Sequence, residues 1–330
     1  METAIVLIIT GFIFLIKGAD WLVEGGSNIA KKLHIPELVI GMTIVSIGTS
    51  LPELIVSVQA AMQGHSDMSI GNIVGSNIVN LFLILSICTM VKGLPFKKQT
   101  KYIDNFILIF ATAMLLVVAN NGIEYIITRT EGFVLLGACV VYMLYNSIMA
   151  LVGEKFDAEE DEKEKSDEEK VKEKEERKKI SILKSLFSII IGCIALKYGG
   201  DFVVDNAVII AEHFGMTEKM ISVTIIAIGT SLPELVTSVI ATRKGDLDLA
   251  IGNIIGSCIC NIFLIIGLSA VIAPITYSVG YNADLTLLFI GTLLFAAFPF
   301  IGTKDTMTIR NGFSFFILYL IYFANTIYFQ

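Results

Sequence analysis

Apolar positions gather into ten runs, at roughly 3–25, 37–62, 68–91, 103–120, 131–152, 182–205, 217–241, 248–273, 284–302 and 311–329. About 20 apolar residues in an α-helix cross the hydrocarbon core of a bilayer. The runs are too long and too poor in turn residues to be strands of a buried parallel sheet. The pattern predicts an all-α integral membrane protein with ten transmembrane helices. Five helices lie in a first unit over 1–152 and five in a second over 182–330, joined by a charged linker over 153–181.

Two of the runs carry the same polar word. Gly48-Thr49-Ser50-Leu51-Pro52-Glu53-Leu54 returns letter for letter as Gly229-Thr230-Ser231-Leu232-Pro233-Glu234-Leu235, and the shift of 181 residues holds without a gap from about Asp20/Asp201 to Ile87/Leu268. Five helices is an odd number, so the second unit must enter the membrane in the opposite sense, and the repeat is predicted to be inverted. Inverted repeats are typical of secondary transporters, whose substrate site lies near the midplane where the halves meet.

Basic residues set the expected orientation. The first, third, seventh and ninth connections hold Lys31, Lys32, Lys92, Lys97, Lys98, Lys101, Arg243, Lys244, Lys304 and Arg310; the second, fourth, sixth and eighth hold only Arg129 and Lys219. The positive-inside bias places the linker in the cytoplasm and both termini outside, in a multi-pass protein of the cell membrane. The first apolar run has no basic n-region and no small-residue cleavage site, so it is expected to be a retained span.

The repeated words place one carboxylate each in mid-span, at a cost of at least about 2.5 kcal/mol for an ionised side chain in hydrocarbon. Pro52 lacks an N–H, and its ring clashes with the carbonyl of Gly48. The second helix is therefore predicted to break around 46–50 and to release carbonyls of Ser46, Gly48 and Thr49; the seventh should do the same at Ala227, Gly229 and Thr230. Irregular backbone at this depth is tolerated only against protein or a polar cavity. Glu53 lies one turn from Thr49 and shares its face, which groups carbonyls, the Thr49 and Ser50 hydroxyls and a carboxylate. Thr230, Ser231 and Glu234 repeat the group.

The next helix of each unit carries Gly71-Asn72-Ile73-Val74-Gly75-Ser76, matched by Gly252-Asn253-Ile254-Ile255-Gly256-Ser257. The Gly-xxx-Gly spacing permits close approach of helix backbones, and Ser76 with Asn80, like Ser257 with Asn261, projects from one face. If those faces meet the broken helices, the centre holds only oxygen ligands with two carboxylates. Such a set suits hard cations such as Ca²⁺ and Na⁺, whereas Mg²⁺ resists full dehydration and soft metals prefer sulfur or imidazole.

Composition narrows the picture further. A hydrophobic content of 55% and a mean hydropathy of +0.76 exclude an ordinary soluble domain. Between Glu154 and Lys179, 22 of 26 residues are charged, thirteen acids against nine bases, so most of the net −7 belongs to one loop. That loop is expected to be a solvated linker or single helix with Glu–Lys pairs; it has no EF-hand spacing for calcium. Nothing resembles a basic nucleic-acid face. Cys88, Cys139, Cys193, Cys258 and Cys260 lie in apolar runs and read as small packing residues. Asp20, Glu24, Asp201 and Asp205 lie toward run ends and are expected to anchor at the interface or to pair with Lys17 and Lys197, with ion funnelling as the alternative.

With those residues in view, the chain resembles the cation/calcium antiporter superfamily, in its prokaryotic sodium/calcium exchanger branch. The two GTSLPE segments and the two GN-x-x-GS segments are similar to that family's alpha repeats, and the resemblance covers nearly the whole chain. It implies exchange of Na⁺ for Ca²⁺ by alternating access, without a cofactor, with the ions and the bilayer as partners and further protein partners left open. It implies calcium held by Glu53 and Glu234 with the carbonyls of Thr49 and Thr230, and sodium sites using Ser46, Ser50, Ser76, Ala227, Ser231 and Ser257. It also implies three sodium ions per calcium and first and sixth helices that slide against the rest. Potassium-dependent relatives carry aspartate where this chain has Asn261, and proton-driven relatives have other acidic motifs, so coupling to K⁺ or H⁺ is the alternative. A cation channel and an intramembrane hydrolase are the other classes. The chain has a single pair of acids and not a ring of them, and no nucleophile–base pair accompanies it.

Overall fold

The computed structural model describes residues 2–121, 125–164, 177–215, 227–301 and 305–329. Helices dominate. Among the described residues, seven are long and apolar enough to cross a membrane, and a helix pair bent by 50°, Glu37–Thr49 with Leu51–Met62, adds an eighth candidate. Ile309–Phe329 forms a further helix of 21 residues. The expected seventh span is described only from Ala227, as Ala227–Thr230 and Leu232–Lys244; its part over 217–226 lies outside the described residues.

The helices carrying the GN-x-x-GS words form the centre. Within an apolar 18-residue stretch of each, 78% of the residues of Met68–Val91 and 83% of those of Leu247–Ile272 are buried, against 28% for Glu2–Leu33 and for Ile182–His213. The central pair therefore touches protein on nearly every face, and the long helices line the periphery. The GN-x-x-GS glycines permit the approach expected of them at one place in particular. A Cβ at Gly256 would stand 2.7 Å from the Cα of Met42, so the first half of the broken helix lies against Leu247–Cys260 nearly backbone to backbone.

Glu2–Leu33 and Ile182–His213 pack along each other through small residues. A Cβ on Gly192 would come within 2.8 Å of the Gly18 carbonyl, and one on Gly18 within 2.9 Å of the Gly192 carbonyl. Both helices run further than their apolar runs, to Leu33 and His213 instead of about 25 and 205. Asp20, Glu24, Asp201 and Asp205, expected toward the ends of the apolar runs, thus lie inside helices that continue beyond those runs. The expected Lys197–Asp201 pair forms at 2.6 Å, but Asp20 pairs with Lys244 at 2.9 Å and not with Lys17.

Two features were not anticipated from the sequence, and the charged run begins in one of the two forms expected of it. Two short antiparallel ladders join the units: Leu94–Pro95 with Thr306–Met307, and Ile126–Ile127 with Ile275–Thr276. Wide π turns interrupt the helices at Gly41–Val45, Val79–Ile84, Thr100–Asp104 and Asn261–Ile266. The helix that begins at Arg129 continues through Glu164, so the charged run starts as a helical extension of the fifth span; the rest of it, 165–176, lies outside the described residues.

Candidate ion site between the broken helices

Proline sets the break in both units, and the break is tighter than expected. Ser46–Thr49 stays helical, Ser50 leaves the helix at φ −83°, ψ 10°, and a new helix starts at Leu51 with Pro52 in its first turn. Ser231 does the same at φ −87°, ψ 6°, ahead of Leu232 and Pro233. Proline at this place costs no hydrogen bond, because the first N–H groups of a helix have no intrahelical partner. The Ser46 carbonyl is not released as expected: it accepts the Ser50 amide at 3.0 Å and the Thr49 hydroxyl at 3.3 Å. The break displaces one residue, so the helical bonds on its near side survive.

Each break leaves a glutamate in the first turn of the new helix, where the helix dipole favours an anion. Glu53 and Glu234 are each 1% exposed. Ser50 of the first unit donates its hydroxyl to Glu234 Oε1 of the second at 2.9 Å. Ser231 donates to the Ser76 hydroxyl at 3.1 Å, and Ser76 in turn donates to Glu53 Oε1 at 3.3 Å. The two carboxylates thus belong to one buried polar cluster built by both units. No ion pair reaches either of them among the described residues.

A second layer of bonds braces the breaks, and sequence reasoning did not single it out. Thr49 donates its hydroxyl to Asn253 Oδ1 at 3.1 Å, and Asn253 Nδ2 donates to Ser238 at 2.9 Å. Thr230 donates to Asn72 Oδ1 at 3.3 Å, and Asn72 Nδ2 donates to Ser57 at 2.9 Å and to the Glu53 carbonyl at 3.3 Å. The two triads are related by the 181-residue shift, and each threonine is held by the asparagine of the other unit. The signal was present, since Asn72/Asn253 and Ser57/Ser238 are identical pairs of the repeat.

The remaining expected residues divide. Asn80 lies in one π turn and Asn261 opens another, at matching places. Asn261 donates to Asn77 Oδ1 at 3.0 Å, whereas both polar atoms of Asn80 are without a partner. The Ser257 hydroxyl is likewise unpartnered, so it is not joined to the carboxylates as Ser76 is. Ser46 turns its hydroxyl back to the Thr43 carbonyl at 3.2 Å. Ala227 opens the short helix that ends at Thr230 and contributes backbone alone.

The donor set has a clear chemical bias. Glu53 Oε2, Glu234 Oε2, Asn80 Oδ1, Asn261 Oδ1 and Ser257 Oγ are all buried oxygens without a hydrogen-bond partner. Buried polar atoms are ordinarily satisfied, and orphaned carboxylate oxygens are the costliest to leave bare. Oxygens in this number, with two negative charges, fit a hard cation. π turns also occur frequently at functional sites.

Comparison with known proteins agrees with this chemistry. A family model described as sodium/calcium exchanger protein matches residues 3–148 and again 184–328. The chain is 34% identical over 311 residues to the sodium/calcium exchanger MaX1 of Methanosarcina acetivorans, covering 88% of this chain and 87% of that protein. It is 35% identical to the inner membrane protein YrbG of Escherichia coli, covering 90% and 88%. The solved structure of the sodium/calcium exchanger from Methanococcus jannaschii superposes with a TM-score of 0.77 at 27% identity, covering 97% of each chain. The chain is a multi-pass helical membrane protein and belongs to the sodium/calcium exchanger family of cation/calcium antiporters.

Proposed function

We propose that the chain exchanges Na⁺ for Ca²⁺ across the cell membrane by alternating access, with the ions bound between two inverted units of five helices each. The observation that carries the reading is the pair of buried carboxylates, Glu53 and Glu234, each hydrogen-bonded from the other unit or through it and each keeping one bare oxygen. The reciprocal triads and the two crossed ladders support a two-fold relation between the units. The two separate matches to the family model, one in each unit, support it as well. On this reading both termini face outward and the charged run faces the cytoplasm.

In the bound state Ca²⁺ is balanced by the two glutamates and reached by the Thr49 and Thr230 carbonyls. Na⁺ uses the oxygens around Ser46, Ser50, Ser76, Ala227, Ser231 and Ser257, with Asn80 and Asn261 as the flanking amides. Calcium and a full sodium complement compete for the same two charges, so they are not held together. An empty site leaves two carboxylates in low dielectric without a counter-ion, which is costly. That penalty disfavours crossing without cargo and couples the two fluxes.

The test is uptake of radiolabelled Ca²⁺ into proteoliposomes. A reading as Na⁺/Ca²⁺ exchange requires uptake driven by an outwardly directed Na⁺ gradient, without need of K⁺ or a pH gradient. Uptake that persists with no opposing cation gradient would instead identify a channel, and uptake that follows a proton or potassium gradient would identify the other coupling ions.

A further inference from the structure

Asn80 and Asn261, the two amides that the site reading sets beside the carboxylates, are not held alike. Asn77, 1% exposed, donates its Nδ2 to the Cys258 carbonyl at 3.1 Å and accepts at Oδ1 from Asn261 Nδ2 at 3.0 Å. Both bonds join the first unit to the second. A backbone carbonyl can only accept, so the nitrogen of Asn77 must face Cys258 and its oxygen must face Asn261. Asn261 is then obliged to present its own nitrogen to Asn77. The atom left over is Asn261 Oδ1, buried and without a partner. The backbone carbonyl thereby settles the orientation of two amides whose ends are otherwise nearly interchangeable.

The repeat places Cys258 where Asn77 stands, Asn80 where Asn261 stands, and Glu234 where Glu53 stands, all by the same shift of 181 residues. The Cys258 thiol lies beside Asn80, close enough to Glu234 to feel its charge. Sulfur is a weak donor and a weak acceptor, so the Asn80 amide has at most that thiol as a partner.

We infer that Asn77 is a positioning residue for the ion site, locking the Asn261 carboxamide with its oxygen presented as a fixed cation ligand, while the Asn80 amide has no such lock. The inference rests on the Glu53/Glu234 site reading. It also gives a physical reason for asparagine at 261. An aspartate there would set a second acceptor against Asn77 Oδ1 and force Asn77 to turn away from Cys258.

Asn77→Cys is the informative variant, because the fold already holds cysteine at the equivalent place in the other unit. In proteoliposomes it should raise the KM for the transported cations about five- to tenfold, the scale of one hydrogen bond, while Vmax changes less than about twofold. Asn261→Ala should raise KM at least as far. Adding Asn77→Cys to Asn261→Ala should change nothing more, since Asn77 acts only through Asn261. Independent, multiplying effects in the double variant would overturn the inference, as would an unchanged KM in Asn77→Cys alongside a loss of thermal stability. Failure of the site reading is separately visible: it would show as normal exchange in Glu53→Gln, whatever Asn77→Cys does.

Discussion

The two threonine braces are identical in residue type but not in environment, and that difference yields a quantitative prediction. Asn253 is 0% exposed and bonds Thr49 and Ser238, both of which are also 0% exposed. Asn253→Ala removes two buried hydrogen bonds, each worth about 0.5–1.5 kcal/mol net. It also leaves a void; large-to-small changes add a cavity term of order 1 kcal/mol for a side chain of this size. Thr49 keeps the Ser46 carbonyl as a partner, so the loss is not doubled by an orphaned hydroxyl on that side. The expected total is about 2–4 kcal/mol. Asn72 makes the mirrored bonds and one more, to the Glu53 carbonyl, but is only half-buried. Water can replace much of what Asn72→Ala removes, and its cost should be about 1 kcal/mol. Thermal unfolding of the purified protein in detergent, followed by loss of the monodisperse peak, compares the two directly. Asn253→Ala should lower the midpoint by several degrees and Asn72→Ala by less than half as much. Equal shifts, or a larger shift for Asn72→Ala, would refute the argument that burial rather than bond count sets the cost.

Three further outcomes are expected. Glu53→Gln and Glu234→Gln keep the acceptor for Ser76 or Ser50 but remove a charge; each should weaken Ca²⁺ uptake by about 3–5 kcal/mol, roughly a hundredfold or more, with normal insertion, and near-wild-type flux in either would contradict the charge balance. Asp104 is 0% exposed and neither of its oxygens has a partner; Asp104→Asn keeps the shape and removes a buried charge, so the unfolding midpoint should hold or rise, and a fall of several degrees would show that the carboxylate is used. Gly192→Ala drives a methyl into the Gly18 carbonyl and the Leu22 amide, at 2.8 and 2.9 Å, and should cost about 1–3 kcal/mol by overpacking. Gly137→Ala, with nothing within 4 Å, serves as its control and should be neutral or mildly stabilising.

Much of the site was legible because chemistry and repetition coincided. A glutamate after Ser-Leu-Pro, twice, in apolar runs implied a break and a charge at each break, and Ser50, Ser231, Glu53 and Glu234 lie where that reasoning put them. The braces were missed because Asn72 and Asn253 were read through their glycine neighbours as part of a packing word, although the repeat itself marked Ser57 and Ser238 as their partners. Asn77 could not be found by repetition, since its counterpart is a cysteine. The π turns had no visible signal: they redistribute backbone bonds without Pro or a Gly pair, and only packing against neighbouring helices selects them. The ladders escaped for a similar reason. Each strand is two residues long, too short for any alternation to register.

Neither unit can complete the polar cluster alone. Ser50 reaches the second unit's carboxylate, Ser231 reaches the first unit's through Ser76, and each threonine at a break is held by an asparagine across the divide. The bonds that cross between the units, from Ser50, Ser231, Thr49 and Thr230, would be strained if the units moved apart. The long helices Glu2–Leu33 and Ile182–His213 meet each other through glycines and backbone instead. Small, smooth contacts resist sliding less than interlocked side chains or directed hydrogen bonds do. A glycine-lined seam of that kind favours sliding of one long helix along the other, whereas the pair is tied to the centre by Asp20 with Lys244 and by Ser27 with Glu37 and Asp246. On the proposed alternating-access reading, a motion that leaves the hydrogen bonds between the units in place costs less than one that parts them.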